Sequence, residues 1–186
     1  MKENEVFRTI CGRRSVLRFS DAAVSEEQLE TILEAGRWAP SYINSQPAEF
    51  IVVRDPEVRA RMADVLRRVT ISWQGFQQAP VVLVVAVDAA KDPRHHVEDG
   101  AAAAQNMALA AHSLGLASFW AGVYGGADGK GGPEADLRAV LSIPKGHRII
   151  AVLPIGVSAY EAKSTRRPLG EIVHRDRYAS GSASAR

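Results

Sequence analysis

Three arginines and a serine stand close together near the start of the chain, at Arg13, Arg14, Ser15 and Arg18. Arginine forks and a hydroxyl group give bidentate, charge-assisted hydrogen bonds to phosphate oxygens, so this cluster could bind a phosphate. Basic residues are also common where a helix ends, because they suit the helix dipole, and a first helix should end here. Taken alone, the cluster favours an ordinary helix end.

A second basic cluster lies near the other end of the chain, at Lys163, Arg166 and Arg167, just before Pro168. The same chemistry would bind a phosphate here. A solvated tail explains these charges equally well, so the cluster alone leaves both interpretations open.

The segment WAPSYINSQPAEFIVV joins a helix expected to end near Arg37 to a strand expected to begin near Glu49. Proline, serine, asparagine and glutamine crowd into this short connection. A plain turn rarely needs so many polar groups, so the segment differs from an ordinary turn.

Other candidate sites have simpler explanations. His95 and Asp99 are four residues apart and could share a helix face and a metal ion, but acidic residues favour the first turn of any helix. His112 lies on an alanine-rich helix without an HExxH pattern, and we interpret it as a packed histidine. The run GGADGKGG at 125–132 lacks the spacing of a phosphate-binding loop, so we expect a mobile loop near the active site.

The composition restricts compartment and partners. The 186 residues include 23 basic and 21 acidic side chains, a net charge of +2, which argues against a nucleic-acid partner. The single cysteine, Cys11, cannot form an internal disulfide, which fits the cytoplasm. No apolar run is long enough to span a bilayer, so no membrane partner is expected. We assign residues 1–175 to one domain and expect a disordered tail over residues 176–186.

Several helix boundaries can be predicted from local signals. Ser25 should cap a helix, with Gln28 completing a capping box. An aspartate precedes both Pro56 and Pro93, so helices should begin near these prolines. Gly115 should end the second of them.

Four strand-like runs lie between the helices, and two of them are apolar throughout. A strand without alternation is usually covered on both faces, so the sequence predicts an α+β or α/β fold with a central sheet between helices. The runs are residues 49–53, 80–87, 117–124 and 148–157.

The alanine-rich segment 98–117 has small apolar side chains on nearly every side instead of along one stripe. Such a helix should be buried all round. A second subunit could supply part of the cover, although a plain core helix explains the pattern nearly as well.

Four motifs in this order resemble the FMN-dependent nitroreductase family: RRSVLRF, APSYINSQP before a strand, EDGAAAAQNMALAAHSLGLASFWAGVY, and RRPLGEIV. Each motif is weak alone, but their order and intervals cover nearly the whole chain and make the resemblance strong. It implies an α+β domain with a mixed central sheet flanked by helices. It also implies that two copies interlock as a homodimer, with two FMN molecules at the subunit interface.

The resemblance implies a phosphate and ribityl site built from both basic clusters. The family's ligands near the N-terminus correspond to Arg13, Arg14 and Ser15. Arg166 corresponds to a second phosphate ligand, and Lys163 to a helper.

The resemblance also implies contacts with the flavin ring. The segment that reaches the ring from the other subunit corresponds to Pro40, Ser41, Tyr42 and Asn44. The backbone amide at the flavin N5 edge corresponds to Gly122 or Val123.

Two positions depart from the family pattern. Leu17 stands where an arginine or lysine usually contacts the pyrimidine side of the flavin, and Arg18 should point elsewhere on a regular backbone. Ala48 replaces a frequent aromatic residue after the QP pair, which should open space beside the pocket.

The activity implied by the resemblance is an oxidoreductase in which FMN carries the chemistry, with no catalytic side chain and no metal. NAD(P)H and a small acceptor (a nitroaromatic, a quinone or a related conjugated molecule) would use one ring face in turn, with ping-pong kinetics. Two alternatives stay open: a relative that fragments flavin or removes halogen reductively, and a non-catalytic protein that stores or senses FMN.

Overall fold

The computed structural model describes residues 3–125 and 132–178, so most of the glycine-rich loop and of the expected tail lies outside the described residues. The helices are α1 Glu5–Gly12, α2 Glu26–Arg37, α3 Pro56–Leu66, α4 Gln74–Gln78, α5 His96–Ser113 and α6 Gly132–Val140. The strands are β1 Ala48–Val53, β2 Val81–Asp88, β3 Ala117–Ser118 and β4 His147–Gly156. Two short 3-10 turns span Tyr42–Asn44 and Leu169–Glu171. Within these ranges, no helix has the length and hydropathy that a membrane span requires.

Local signals set several helix boundaries as predicted. At α2, Ser25 and Gln28 exchange hydrogen bonds of 3.0 and 3.1 Å, so the capping box is confirmed. Asp55 caps α3, which begins at Pro56. After α5, Gly115 has a φ of +76°, the left-handed conformation that favours glycine.

The start of α5 differs from its prediction by three residues. The helix begins at His96 instead of near Pro93. The reason is a separate turn, because Asp92 accepts hydrogen bonds from the Arg94 and His95 amides at 3.0 and 2.9 Å. These bonds hold the residues after Asp92 outside the helix.

The strands form one sheet with the order β1-β2-β4-β3, in which each neighbouring pair is antiparallel. Among the described residues, the parallel component of the expected mixed sheet is the isolated bridge between Ser15 and Ser118. That bridge attaches the chain after α1 to the edge of the sheet, beside β3.

The strand predicted at 117–124 is much shorter in the structure. β3 keeps only its first two residues, and one isolated bridge joins Ala121 to Val152. After β3 the chain leaves regular pairing where Phe119 turns into the core, with its ring centre 5.0 Å from that of Phe76.

Two apolar cores lie on opposite faces of the sheet, which explains why β2 and β4 lack alternation. Val81, Leu83 and Val85 of β2 belong to the core shared with α2 and α5. Val82 and Val84 belong to the core shared with α3, α4 and α6. The structure therefore confirms the α+β class with a sheet flanked by helices.

α5 keeps one side partly open, so the prediction that it is buried all round is wrong for a single chain. Gln105 is exposed, and Ala101, Ala102 and Leu109 are only half-buried along the same side. The sheet and α2 provide most of the contacts to this helix, and one chain leaves this stripe without full cover.

Candidate functional site

The two basic clusters of the sequence meet at one cavity of about 290 Å³. Its charged and hydroxyl lining consists of Arg13, Arg14, Ser15, Lys163, Ser164 and Arg166. The first three residues follow the end of α1, and the others follow β4. The fold thus joins two clusters that were ambiguous when taken separately.

This cavity carries positive charge without a matching carboxylate. In the described ranges, no acidic side chain forms an ion pair within 4 Å of Arg13, Arg14 or Arg166. Among the described residues, Arg14 donates hydrogen bonds to the backbone oxygens of Cys11 and Arg13, which are neutral acceptors. Burial, then the charges of Arg166 and Arg14, lower the pKa of Arg13. A phosphate, with negative charge and several acceptor oxygens, fits this set of donors.

His112 borders the same cluster from α5, a position that its interpretation as a packed histidine did not include. It lines an adjoining cavity of about 270 Å³ together with Arg13 and Arg14. The two helices approach closely because Gly12 lacks a side chain: a Cβ there would lie 2.6 Å from His112 Nε2. Burial, then Arg13 and Arg14, lower the pKa of His112, which favours the neutral form of its imidazole.

Leu17 and Arg18 both line one further cavity, of about 480 Å³, so the chain does not separate them as a regular strand would. The backbone here is not a regular strand, and adjacent side chains are not forced to opposite sides. The Leu17 amide donates to Tyr160 Oη at 3.1 Å, and the Arg18 guanidinium lies 5.1 Å from the Tyr160 ring centre. Ser72 and Gln74 add neutral polar groups to the lining.

The segment predicted to reach the flavin ring lies apart from the basic cavity. Pro40 and Ser41 line a separate cavity of about 130 Å³, which shares no residue with the cavities at Arg13. Tyr42 and Asn44 are exposed on the 3-10 turn that follows. Within one chain, the structure therefore does not bring the two parts of the predicted site together. Ala48 also lines the 130 Å³ cavity.

The backbone of this segment adopts an unusual shape. Ile43, Asn44 and Gln46 have positive φ values of 45°, 59° and 48°. Such conformations cost on the order of 1–3 kcal/mol each and persist only where surrounding contacts impose them. Ser41 Oγ accepts a hydrogen bond from the Gln46 amide at 2.9 Å, which closes the turn from within.

Asp99 of α5 supplies the outer contacts to this segment, and the sequence analysis missed this role. One carboxylate oxygen accepts from the Tyr42 amide at 3.0 Å, and the other from Ser45 Oγ at 3.4 Å. The sequence suggested that Asp99 was either an ordinary acidic residue in the first helical turn or a metal ligand with His95, and both interpretations used its neighbours on the helix. The hydrogen-bond donors to Asp99 lie more than 50 residues away in the sequence. Among the described residues, no group of three or more histidine, cysteine, aspartate or glutamate side chains is arranged to hold a metal ion.

Gly122 and Val123 lie after β3, where the chain runs along the sheet. Val123 is buried in the core, and Gly122 is exposed. A Cβ built on Gly122 would meet only Trp120 Nε1, at 3.9 Å. The space on the Cβ side of Gly122 is therefore open.

A buried ion pair fixes the chain just beyond this point. Glu134 is 0% exposed and receives hydrogen bonds from Arg148 at 2.7 and 2.9 Å, from the Gly125 amide at 2.9 Å and from the Ile149 amide at 3.1 Å. Burial raises the pKa of Glu134, but these hydrogen bonds outweigh it and lower the pKa overall. The Tyr124 ring stacks 4.1 Å from the Arg148 guanidinium. No sequence motif pointed to this pair.

Comparisons with known proteins agree with these features. The model of the nitroreductase family matches residues 10–72 and 65–157. The chain is 34% identical over 186 residues to the assigned NADH dehydrogenase/NAD(P)H nitroreductase of Archaeoglobus fulgidus, covering 94% of this chain and 99% of that protein. It is 30% identical over 196 residues to an NAD(P)H-dependent FMN reductase of Bacillus subtilis, covering 94% of this chain and 75% of that protein.

The fold is also similar to a solved structure of an assigned nitroreductase from Desulfovibrio desulfuricans in complex with FMN. The TM-score is 0.78 and the identity 34%, and the match covers 96% of this chain and 100% of that one.

Proposed function

The chain belongs to the nitroreductase family, and we propose on that premise that it is an FMN-dependent oxidoreductase that passes electrons from NAD(P)H to a small conjugated acceptor such as a nitroaromatic or a quinone. The observation that carries the proposal is the cavity lined by Arg13, Arg14, Lys163 and Arg166, whose described lining holds four cations and no carboxylate. Positive charge of this kind is costly unless a ligand compensates it.

The residues present fit FMN. Arg13, Ser15 and Arg166 would hold the phosphate. Arg14 and Lys163 would add positive charge to the lining of the same cavity. Leu17 would face the pyrimidine side of the ring, and the open backbone at Gly122 would face the N5 edge. When bound, FMN supplies the electron transfer, and the protein supplies binding and orientation.

The protein's own contribution is therefore positional and electrostatic. The charge-assisted hydrogen bonds at Arg13 would fix one end of the cofactor, and the cavity shared by Leu17 and Tyr160 would fix the position of the ring. No side chain is needed as a general acid or base. Donor and acceptor would use the same exposed ring face in turn, which gives ping-pong kinetics.

We also propose that the enzyme is a homodimer of a single domain, residues 1–175, in the cytoplasm. The segment around Tyr42 and the basic cavity are separate within one chain, and a second copy would supply the missing half. The partly open stripe of α5 supports this arrangement, as does α1, which buries no residue and leaves Val6 68% exposed.

The visible absorption spectrum of the purified protein is the first test. We expect bound or readily taken up FMN, and steady oxidation of NADH or NADPH when a quinone is added. Parallel double-reciprocal lines would support the alternating use of one site. A colourless protein that takes up no FMN would overturn the proposal, and FMN binding without turnover would favour a storage or sensing role.

A further inference from the structure

Asp99 stands out among the acidic side chains because it is 6% exposed and both of its oxygens accept hydrogen bonds from one distant segment. The donors are the Tyr42 amide and Ser45 Oγ, at the two ends of the 3-10 turn and its cap. A buried carboxylate needs such donors, so the segment and the carboxylate depend on each other.

The segment requires an external hold because its backbone is strained. Three of its residues that are not glycine, Ile43, Asn44 and Gln46, have positive φ values. Its own hydrogen bond from Gln46 to Ser41 closes the turn but does not attach it to the fold. The attachment comes from Asp99 and from His95, whose ring stacks on that of Tyr42 with centres 4.0 Å apart.

The strained shape determines what the segment presents. Tyr42 is about half exposed and Ile43 is 82% exposed, so the turn directs these side chains outward from the chain that carries them. Side chains that point outward in this way are placed to contact a second molecule. In the proposed dimer, that molecule is the FMN bound by the partner protomer.

We infer that Asp99 is a positioning residue for the flavin ring: it holds residues 41–46 in the strained shape that presents Tyr42 and Asn44 to FMN. The inference rests on the proposed function. In this role Asp99 would act through the segment and not by its own contact with cofactor or substrate.

Flavin affinity measured with two ligands tests this inference. In the dimeric protein, Asp99→Ala should weaken FMN and riboflavin binding alike, by about tenfold or more, because the ring site is shared by both ligands. Asp99→Asn keeps an acceptor for the Tyr42 amide and should restore both affinities to within about threefold of the original protein. Fluorescence titration gives the affinities, and sedimentation confirms the dimer.

Asp55→Ala is the matched control. Asp55 also accepts two backbone amides, from Glu57 and Val58, but at the start of α3 and away from the segment. Its loss should lower the melting temperature and leave both flavin affinities unchanged. If Asp99→Ala behaves in the same way, Asp99 only stabilises α5 and the inference is wrong.

Two further results separate the possible failures. If Asp99→Ala does not form dimers, Ser45→Ala decides the question, because it removes one of the two hydrogen bonds and should weaken both flavins by about threefold. Unchanged affinities in Ser45→Ala would overturn the inference. Absence of flavin binding in the original protein would instead overturn the proposed function.

Discussion

Two groups of arginines in this molecule meet opposite electrostatic conditions. Arg148 is 6% exposed and lies against the fully buried Glu134, with contacts of 2.7 and 2.9 Å. Arg13 is partly buried as well, but its charged neighbours are Arg14 and Arg166. Both sites remove charge from water, and only the first contains the opposite charge. The difference distinguishes charge that stabilises the fold from charge arranged for a ligand.

The pKa directions express the same contrast. The hydrogen bonding of Arg148 to the Glu134 carboxylate is the largest influence on Arg148 and raises its pKa. For Arg13, burial is the largest influence, and the neighbouring cations add to it, so its pKa is lowered. A bound phosphate would reverse the situation at Arg13, and FMN should therefore stabilise the folded protein as well as equip it for catalysis.

The largest effect is expected from breaking the paired site. Glu134→Gln leaves Arg148 buried without its counter-charge, which should lower the free energy of unfolding by about 3–5 kcal/mol. Urea unfolding followed by circular dichroism measures the loss. Asp136→Asn, on the same helix, is the control: its ion pair with Arg68 is about half exposed, so the change should stay within about 0.5 kcal/mol. Equal losses in the two variants would contradict a special role for the buried pair.

Acid should weaken the paired site and thereby reveal its contribution to stability. Because the folded-state pKa of Glu134 is lowered, its contribution is complete above the ordinary glutamate pKa of about 4.3 and is lost as pH falls through the lowered value. The unfolding free energy of the original protein should therefore fall more steeply below about pH 4.3 than that of Glu134→Gln. Identical slopes for the two proteins would mean that the pKa of Glu134 is the same in the folded and unfolded states.

A substitution at Arg13, which has no carboxylate partner among the described residues, should change ligand affinity and not the stability of the fold. Arg13→Ala removes charge-assisted hydrogen bonds of about 1.5–3 kcal/mol each, so FMN affinity should fall at least about tenfold. Riboflavin, which lacks the phosphate, should bind as before, and the melting temperature without ligand should not fall. Arg8→Ala, which changes an exposed arginine on α1 five residues before Arg13, should change neither affinity. Equal losses for FMN and riboflavin would make Arg13 a structural residue like Arg148.

The same contrast separates what the sequence could predict from what it could not. The capping box at Ser25 and the basic residues after α1 are local patterns, readable because each involves neighbours within a few residues. Glu134 and Arg148 form their ion pair only when β4 packs beside α6. The hydrogen bond between Asp99 and Tyr42 joins residues that are 57 positions apart. Contacts that form only through tertiary packing have no characteristic residue spacing, so the sequence alone does not predict them. The same holds for Arg18, whose direction depended on an irregular backbone.

The smallest effect concerns a third site, where the cation Arg18 lies beside the apolar residue Leu17. Reduction of the flavin by two electrons places negative charge near N1 and O2, and a fixed cation there favours the reduced form. Leu17→Arg would add such a contact, and about 1.5–3 kcal/mol corresponds to a midpoint roughly 30–65 mV higher. Arg18 already lines the same cavity, so we expect the lower end of that range.

Potentiometric titration of the original protein and three variants decides how the charge is supplied. If Arg18 contributes, Arg18→Ala should lower the FMN midpoint by an amount comparable with the rise in Leu17→Arg, while the dimer stays intact. The double variant Leu17→Arg/Arg18→Ala should then return close to the original value, because one cation replaces the other in a shared cavity. A midpoint that moves with Leu17→Arg but not with Arg18→Ala would show that the Arg18 guanidinium, drawn over the Tyr160 ring, lies too far from the flavin to tune it.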